Sequence, residues 1–166
     1  MLSAMQRVLL LLCALLPLSA PCVACRRAPP GEAREGASSA MREVRLTPSS
    51  TPLPDVLSAE ARKAKAEGLA PFVLVGATWC GPCQELEKSM HDPRMRKAFS
   101  GTYVIHLDVD AWGGRLGKAG LGASAVPVIF ALDPEGKPTG RRIDGSAWAE
   151  NVPENMAPPL SAFFHP

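Results

Sequence analysis

The sequence predicts an α/β fold in which a central mixed β-sheet is flanked by helices. Three observations carry that expectation. Apolar runs at 71–77, 102–109 and 126–132 have the density of strands packed inside a sheet. Helix-forming stretches lie before the first run and between the others. The last run is followed by turn chemistry and a further β-prone segment, so the alternation ends in a hairpin.

Each element can be justified in order. Val44 and Leu46 alternate in Met41 to Leu46, which reads as a short edge strand. Asp55 to Glu67 is rich in alanine, lysine and glutamate, and Gly68 closes it as a helix. Pro71 to Ala77 is the first buried strand. Gln84 to Met90 is helical in composition, with Leu86 and Met90 on one face at i, i+4. His91-Asp92-Pro93 interrupts it, and Arg94 to Phe99 resumes as a short helix. In Thr102 to Val109 the residues Tyr103, Ile105, Leu107 and Val109 face inward, which leaves His106 on a polar face. Trp112-Gly113-Gly114 opens a loop, its tryptophan expected to pack on the core, and 115–120 makes a helical turn. Val126 to Leu132 is the third strand. Asp133-Pro134-Glu135-Gly136 turns it back against Arg141-Arg142-Ile143, an exposed edge. Asn155 to Phe164 forms a last helix, with Leu160, Phe163 and Phe164 covering the sheet.

Composition narrows the function classes. The 166 residues suit one domain, and 18 basic against 16 acidic side chains give no electrostatic case for nucleic-acid binding. The basic surplus belongs to the first fifty residues; 51–166 is slightly acidic. Five cysteines are too few for a disulfide-stapled miniprotein and odd for a fully paired secreted domain.

The N-terminus accounts for the odd number. Arg7 precedes an apolar run, Val8 to Leu16, which Pro17 ends; it is far shorter than the roughly 20 residues of a membrane-crossing helix. Residues 1–24 read as a signal peptide, which places the chain outside the cytoplasm, in a periplasm. Pro21 argues against cleavage after Ala20, and cleavage after Ala24 leaves Cys25 first. Cys22-Val23-Ala24-Cys25 resembles the lipobox of bacterial lipoproteins, in which the cysteine carries a lipid anchor, but Cys22 stands where leucine is usual. The Cys22/Cys25 spacing itself lies at a processing site and is read as leader. Cys13 and Cys22 leave with that leader. Residues 25–40 contain no large apolar side chain after Cys25 and read as a flexible tether, with the folded domain spanning 41–166.

The chemistry lies at Thr78-Trp79-Cys80-Gly81-Pro82-Cys83. Two cysteines two residues apart, where a buried strand feeds a helix, form a dithiol that can close reversibly. At the helix N-terminus the unpaired N–H groups and the dipole favour the Cys80 thiolate. Cys80 then attacks a substrate disulfide, and Cys83, one turn in and more shielded, resolves the mixed disulfide. Gly81 lets the turn close, and Pro82 supplies a fixed φ in the first helical turn. Zinc is the structural alternative, but it takes four ligands; no cysteine follows Cys83, and His91, His106 and His165 are scattered, so no metal is expected. A static disulfide is the remaining alternative.

Trp79-Cys80-Gly81-Pro82-Cys83, with Val126-Pro127 at the start of the next-to-last strand, resembles the active-site sequence and cis-proline of the thioredoxin family over roughly 41–166. The resemblance implies a thioredoxin-like fold, thiol–disulfide oxidoreductase activity with no cofactor beyond the dithiol, and a substrate chain paired against the Val126 backbone beside Pro127. Trp79 would shield the dithiol and line the docking surface. Within the family the pattern is most similar to the periplasmic C-terminal domain of thiol:disulfide interchange proteins: Cys80, Cys83, Glu87, Asp92-Pro93 and Asp108-Val109-Asp110 match it. Thioredoxins bury an aspartate six residues before the first cysteine, where this chain has Leu74; the proton of Cys83 would leave through water or to Glu87, which the interchange proteins use to tune their dithiol.

These implications describe an exported, monomeric reductant of protein disulfides that a membrane electron donor recharges. Two other readings are a dedicated thiol donor in cytochrome c maturation, against which Gln84-Glu85-Leu86 lacks the proline usual in that branch, and a tethered binding or chaperone module whose dithiol stays idle. Mass spectrometry of the mature N-terminus checks the leader: a thioether-lipid mass on Cys25 marks a lipoprotein, and an unmodified Cys25 a free secreted form.

Overall fold

A computed structural model describes residues 40–166. The leader, nearly all of the tether, and Cys25 lie outside them. Among the described residues, no helix is long and apolar enough to cross a membrane.

Five strands form one sheet, in the order β1-β3-β2-β4-β5. β1 (Arg42–Arg45), β3 (Thr102–Asp108) and β2 (Ala70–Gly76) run parallel, and β4 (Val128–Leu132) and β5 (Pro138–Asp144) add to them through antiparallel pairings. The mixed sheet expected from the sequence is therefore present. The helices are α1 (Leu53–Ala66), α2 (Gly81–Ser89), α3 (Pro93–Ala98), α4 (Val109–Trp112), α5 (Gly114–Lys118) and α6 (Pro153–Phe164).

The period-2 alternation of strand side chains divides the core into two layers. On one face Val73, Val75, Tyr103, Ile105 and Leu107 meet Leu53, Leu57 and Ala64 of α1 and Trp112 and Leu116 of α4 and α5. On the other, Phe72, Leu74 and Val104 meet Leu86 of α2, Met95 of α3 and Met156, Leu160 and Phe164 of α6. β2, between β3 and β4, is thus covered on both faces, as its unbroken apolar run predicts.

Three local outcomes differ from the sequence reading. Both faces of β3 are buried, so His106 does not lie on a polar face: it is 3% exposed, covered from the α2 side. The stretch read as loop from Trp112 begins with α4, because the Asp108 side chain accepts from the backbone N–H of Asp110 and Ala111 and caps a helical turn there. Trp112 ends that turn, buried as expected, and its Nε1 donates to the Leu46 carbonyl at 3.3 Å. The last helix starts earlier, at Pro153, and contains Pro158 and Pro159. Interior prolines oppose helices, and here packing outweighs them: Phe164 stands edge-on to Phe72 with ring centroids 4.8 Å apart.

The hairpin turn carries a steric demand that fixes one glycine. Gly136 has φ +88°, and a Cβ there would lie 2.7 Å from the Leu57 and Ser58 backbone of α1. Gly140 on β5 has φ +86° with nothing within 4 Å of a Cβ. Gly136→Ala is therefore expected to cost roughly 3 kcal/mol in chemical denaturation and Gly140→Ala about 1 kcal/mol. Equal losses would show that the approach to α1 does not constrain the turn.

Candidate active site

The site forms where β2 ends. Gly76 is the last residue of β2, Ala77 to Trp79 turn outward, and Cys80 is the N-cap of α2 in an extended conformation. Cys80 and Cys83 are joined in a disulfide, with Cα atoms 5.2 Å apart. The Cys83 backbone N–H donates to Cys80 Sγ at 3.1 Å, so Cys80 sulfur occupies the place of a capping oxygen. An orphan helix N–H aimed at a sulfur favours negative charge on it, which supports the thiolate of Cys80 in the reduced form. Pro82 falls in the first turn, where its missing N–H leaves nothing unpaired. A Cβ at Gly81 would meet open space, so the closing of the turn does not demand this glycine; it leaves the surface beside Cys80 unobstructed.

The two sulfurs face different surroundings. Cys80 Sγ lies 3.6 Å from the Val126 carbonyl oxygen, immediately before the cis Val126–Pro127 peptide bond. Cys83 packs inward: a Cβ on Gly76 would stand 3.6 Å from its Sγ. Both cysteines are 4% exposed in the disulfide form, so the expected difference in shielding shows as direction and not as exposed area. Pro127 is held by Gly145, whose N–H donates to the Pro127 carbonyl at 3.3 Å. Trp79 projects beside the pair, 67% exposed, and its Nε1 donates to Asp110 at 2.6 Å.

Behind Cys83 the structure gathers charges that sequence spacing did not connect. A cleft of about 370 Å³ opens between α2 and the ends of β2 and β3, lined among others by Leu74, Gly76, Glu87, His106 and Asp108. Glu87 stands one turn past Cys83 on α2, but its partners are Arg45, at 3.0 Å, and His106 Nδ1, at 3.6 Å. His106 Nε2 is 3.0 Å from Glu43 on β1. That hydrogen bond is the main reason the Glu43 carboxyl lies below its ordinary value, the nearby His106, His91 and Arg45 adding to it. Leu74, six residues before Cys80, pairs in register with His106 on β3. A histidine two residues before Asp108 in an otherwise apolar strand was the available signal; its burial was hidden because the sequence does not say that α2 covers that face.

Among the described residues, no group of three or more histidine, cysteine, aspartate or glutamate side chains is placed to hold a metal ion.

A mixed sheet sandwiched by helices, with a Cys80–Cys83 pair at the strand–helix junction and a cis proline opposite, defines a thioredoxin-like fold. Similar solved structures are the following. A disulphide isomerase from Xylella fastidiosa Temecula1 superposes with a TM-score of 0.50 at 16% identity, over 73% of this chain and 95% of that one. A mutant thioredoxin from Halobacterium salinarum NRC-1 gives 0.47 at 15% identity over 75% and 93%, and Trichomonas vaginalis thioredoxin 0.41 at 24% over 64% and 86%. No protein-family model matches the sequence, and no curated protein matches it.

The Glu43–His106 pair makes a pH prediction. A carboxyl whose folded-state pKa lies below its ordinary 4.5 contributes stability that is present above that pH and is lost as the pH falls through the folded value. Glu43→Gln should therefore flatten this part of the acid limb of a stability-against-pH curve. Superimposable curves for the two proteins would show that the pair contributes nothing to it.

Proposed function

We propose that the protein is an exported thiol–disulfide oxidoreductase that reduces protein disulfides through Cys80 and Cys83. The observation that carries this reading is the different surroundings of the two sulfurs: Cys80 beside the Val126 carbonyl at the cis proline, Cys83 against Gly76. An extended substrate segment pairs with the Val126 backbone beside Pro127, which sets its disulfide against Cys80. The Cys80 thiolate attacks one substrate sulfur and releases the other as a thiolate. Cys83 then attacks Cys80, closes the pair and frees the second substrate sulfur. The substrate gains two electrons, and the dithiol loses them.

Trp79 flanks the docking surface, and its bond to Asp110 fixes the ring there. Gly81 keeps the approach clear, and Pro82 presets the turn. The chain acts as a monomer and needs no group beyond its own sulfurs. An exported reductant must be recharged, and a membrane protein is the donor we assign to it. Residues 1–24 serve as the export signal, and Cys25 as the attachment point of a lipid that holds the domain near that donor.

The reading is tested by insulin reduction with dithiothreitol as the electron source. The wild-type chain should accelerate it, and Cys80→Ser should reduce the rate to that of dithiothreitol alone. Cys83→Ala should instead retain substrates as mixed disulfides on Cys80, visible on non-reducing gels. A wild-type chain no faster than the reagent would remove the enzymatic reading and favour a binding module.

A further inference from the structure

The buried histidine behind the dithiol has an orientation that calls for a proton. His106 is nine-tenths buried and more, and its Nε2 is 3.0 Å from Glu43 Oε2. Glu43 is held as a carboxylate by that contact, so Nε2 carries the hydrogen and donates it. In the neutral ring Nδ1 then bears a lone pair. That atom has no hydrogen-bond partner, and the group closest to it in the charged cluster is Glu87 Oε1, another acceptor, at 3.6 Å. Two acceptors facing each other are matched only when a proton arrives on Nδ1, and the resulting cation would lie between two carboxylates.

The sheet register says where such a proton comes from. Leu74 and His106 are paired across β2 and β3, and Gly76 lies two residues further along β2 on the same face. Cys83 sits over Gly76. Two residues along a strand and one strand across amount to roughly 8 Å, a span that one or two waters bridge. The cleft of about 370 Å³ is lined by Gly76, the residue under Cys83, and by His106 and Glu87, and holds the solvent that would enter between Cys83 and the buried Nδ1. The charged groups lining this space are Arg45 from β1, Glu87 from α2 and Asp108 from β3; Glu43 of β1 meets the ring at Nε2, with His91 acting on Glu43 from beyond α2. β2 contributes Leu74 and Gly76, neither of them titratable. Glu87 is already paired with Arg45 at 3.0 Å.

We propose that His106 Nδ1 is the proton acceptor for Cys83 when the mixed disulfide is resolved, with Glu43 fixing the ring's tautomer and Glu87 receiving its new N–H. The inference rests on the oxidoreductase reading above. The Cys83 S–H proton passes through cleft water to Nδ1. The thiolate's electron pair forms the Cys83–Cys80 bond, and the bond from Cys80 to the substrate sulfur breaks. The substrate leaves as a thiolate and is protonated by solvent, while the imidazolium returns its proton through the cleft. An imidazole suits this role because it exchanges its proton near neutral pH.

Stopped-flow reaction of the reduced chain carrying Cys13→Ser, Cys22→Ser and Cys25→Ser with 5,5′-dithiobis(2-nitrobenzoate) separates the two attacks, since Cys80 and Cys83 are then the remaining thiols and each attack releases one coloured thiolate. His106→Gln should leave the first release unchanged and slow the second by about tenfold or more near pH 7. The pH profile of the second release should differ between the two proteins, that of the variant following the thiol's own range at about 8.5. An unchanged second release, or an equal slowing of both, overturns the proposal. A wild-type chain lacking both releases refutes the oxidoreductase reading instead. Should His106→Gln not fold, NMR titration of the wild-type His106 ring decides: different midpoints in the dithiol and disulfide forms support the assignment, and identical ones overturn it.

Discussion

The burial of β2 on both faces is the constraint on which the rest depends. Phe72 and Leu74 fill one layer of the core, and Val73 and Val75 fill the other, between strands on both sides. Such a strand cannot slip by one residue without exchanging every side chain between two already filled layers. Its end is therefore fixed in space, and so is the point at which Cys80 emerges. The helix that follows is anchored by Leu86 in the layer beneath, so Cys83 has no freedom to turn away from Gly76. The reactive pair thus takes its geometry from apolar packing, and its polarity only from what borders it.

Those borders differ in kind. The sulfur of Cys80 meets backbone: a carbonyl at Val126 and the N–H of Cys83. Backbone groups can pair with another main chain irrespective of its side chains. On the other side of the pair stand ionisable side chains, Glu43, Arg45, Glu87 and the buried His106, drawn from three elements that are distant in sequence. Of these four only His106 is buried; Arg45, Glu43 and Glu87 remain partly open to solvent.

Much of this was legible in the residues. The apolar runs marked the inner strands because a strand covered on both faces has no polar alternation to disguise it, and Asp133 to Gly136 marked the hairpin through its turn chemistry. The Cys80/Cys83 pair was legible because its meaning depends on local spacing and on the strand before it. His106 was not, since alternation along β3 assigns it outward and only the placement of α2 over that face covers it. The turn of α4 was missed because Gly113 and Gly114 drew the reading towards a loop, although Asp108 was the capping signal. The cis bond before Pro127 follows from tertiary context, which no dipeptide contains.

Trp79 shows what one such fixed contact entails. A large exposed indole would ordinarily sample several rotamers, and a docking partner would have to arrest them. Its bond to Asp110 at the start of α4 favours one of them in the free protein. Part of the entropy of ordering the ring is thereby lost during folding, at the expense of the stability of the domain, and less remains to be lost by anything that docks there.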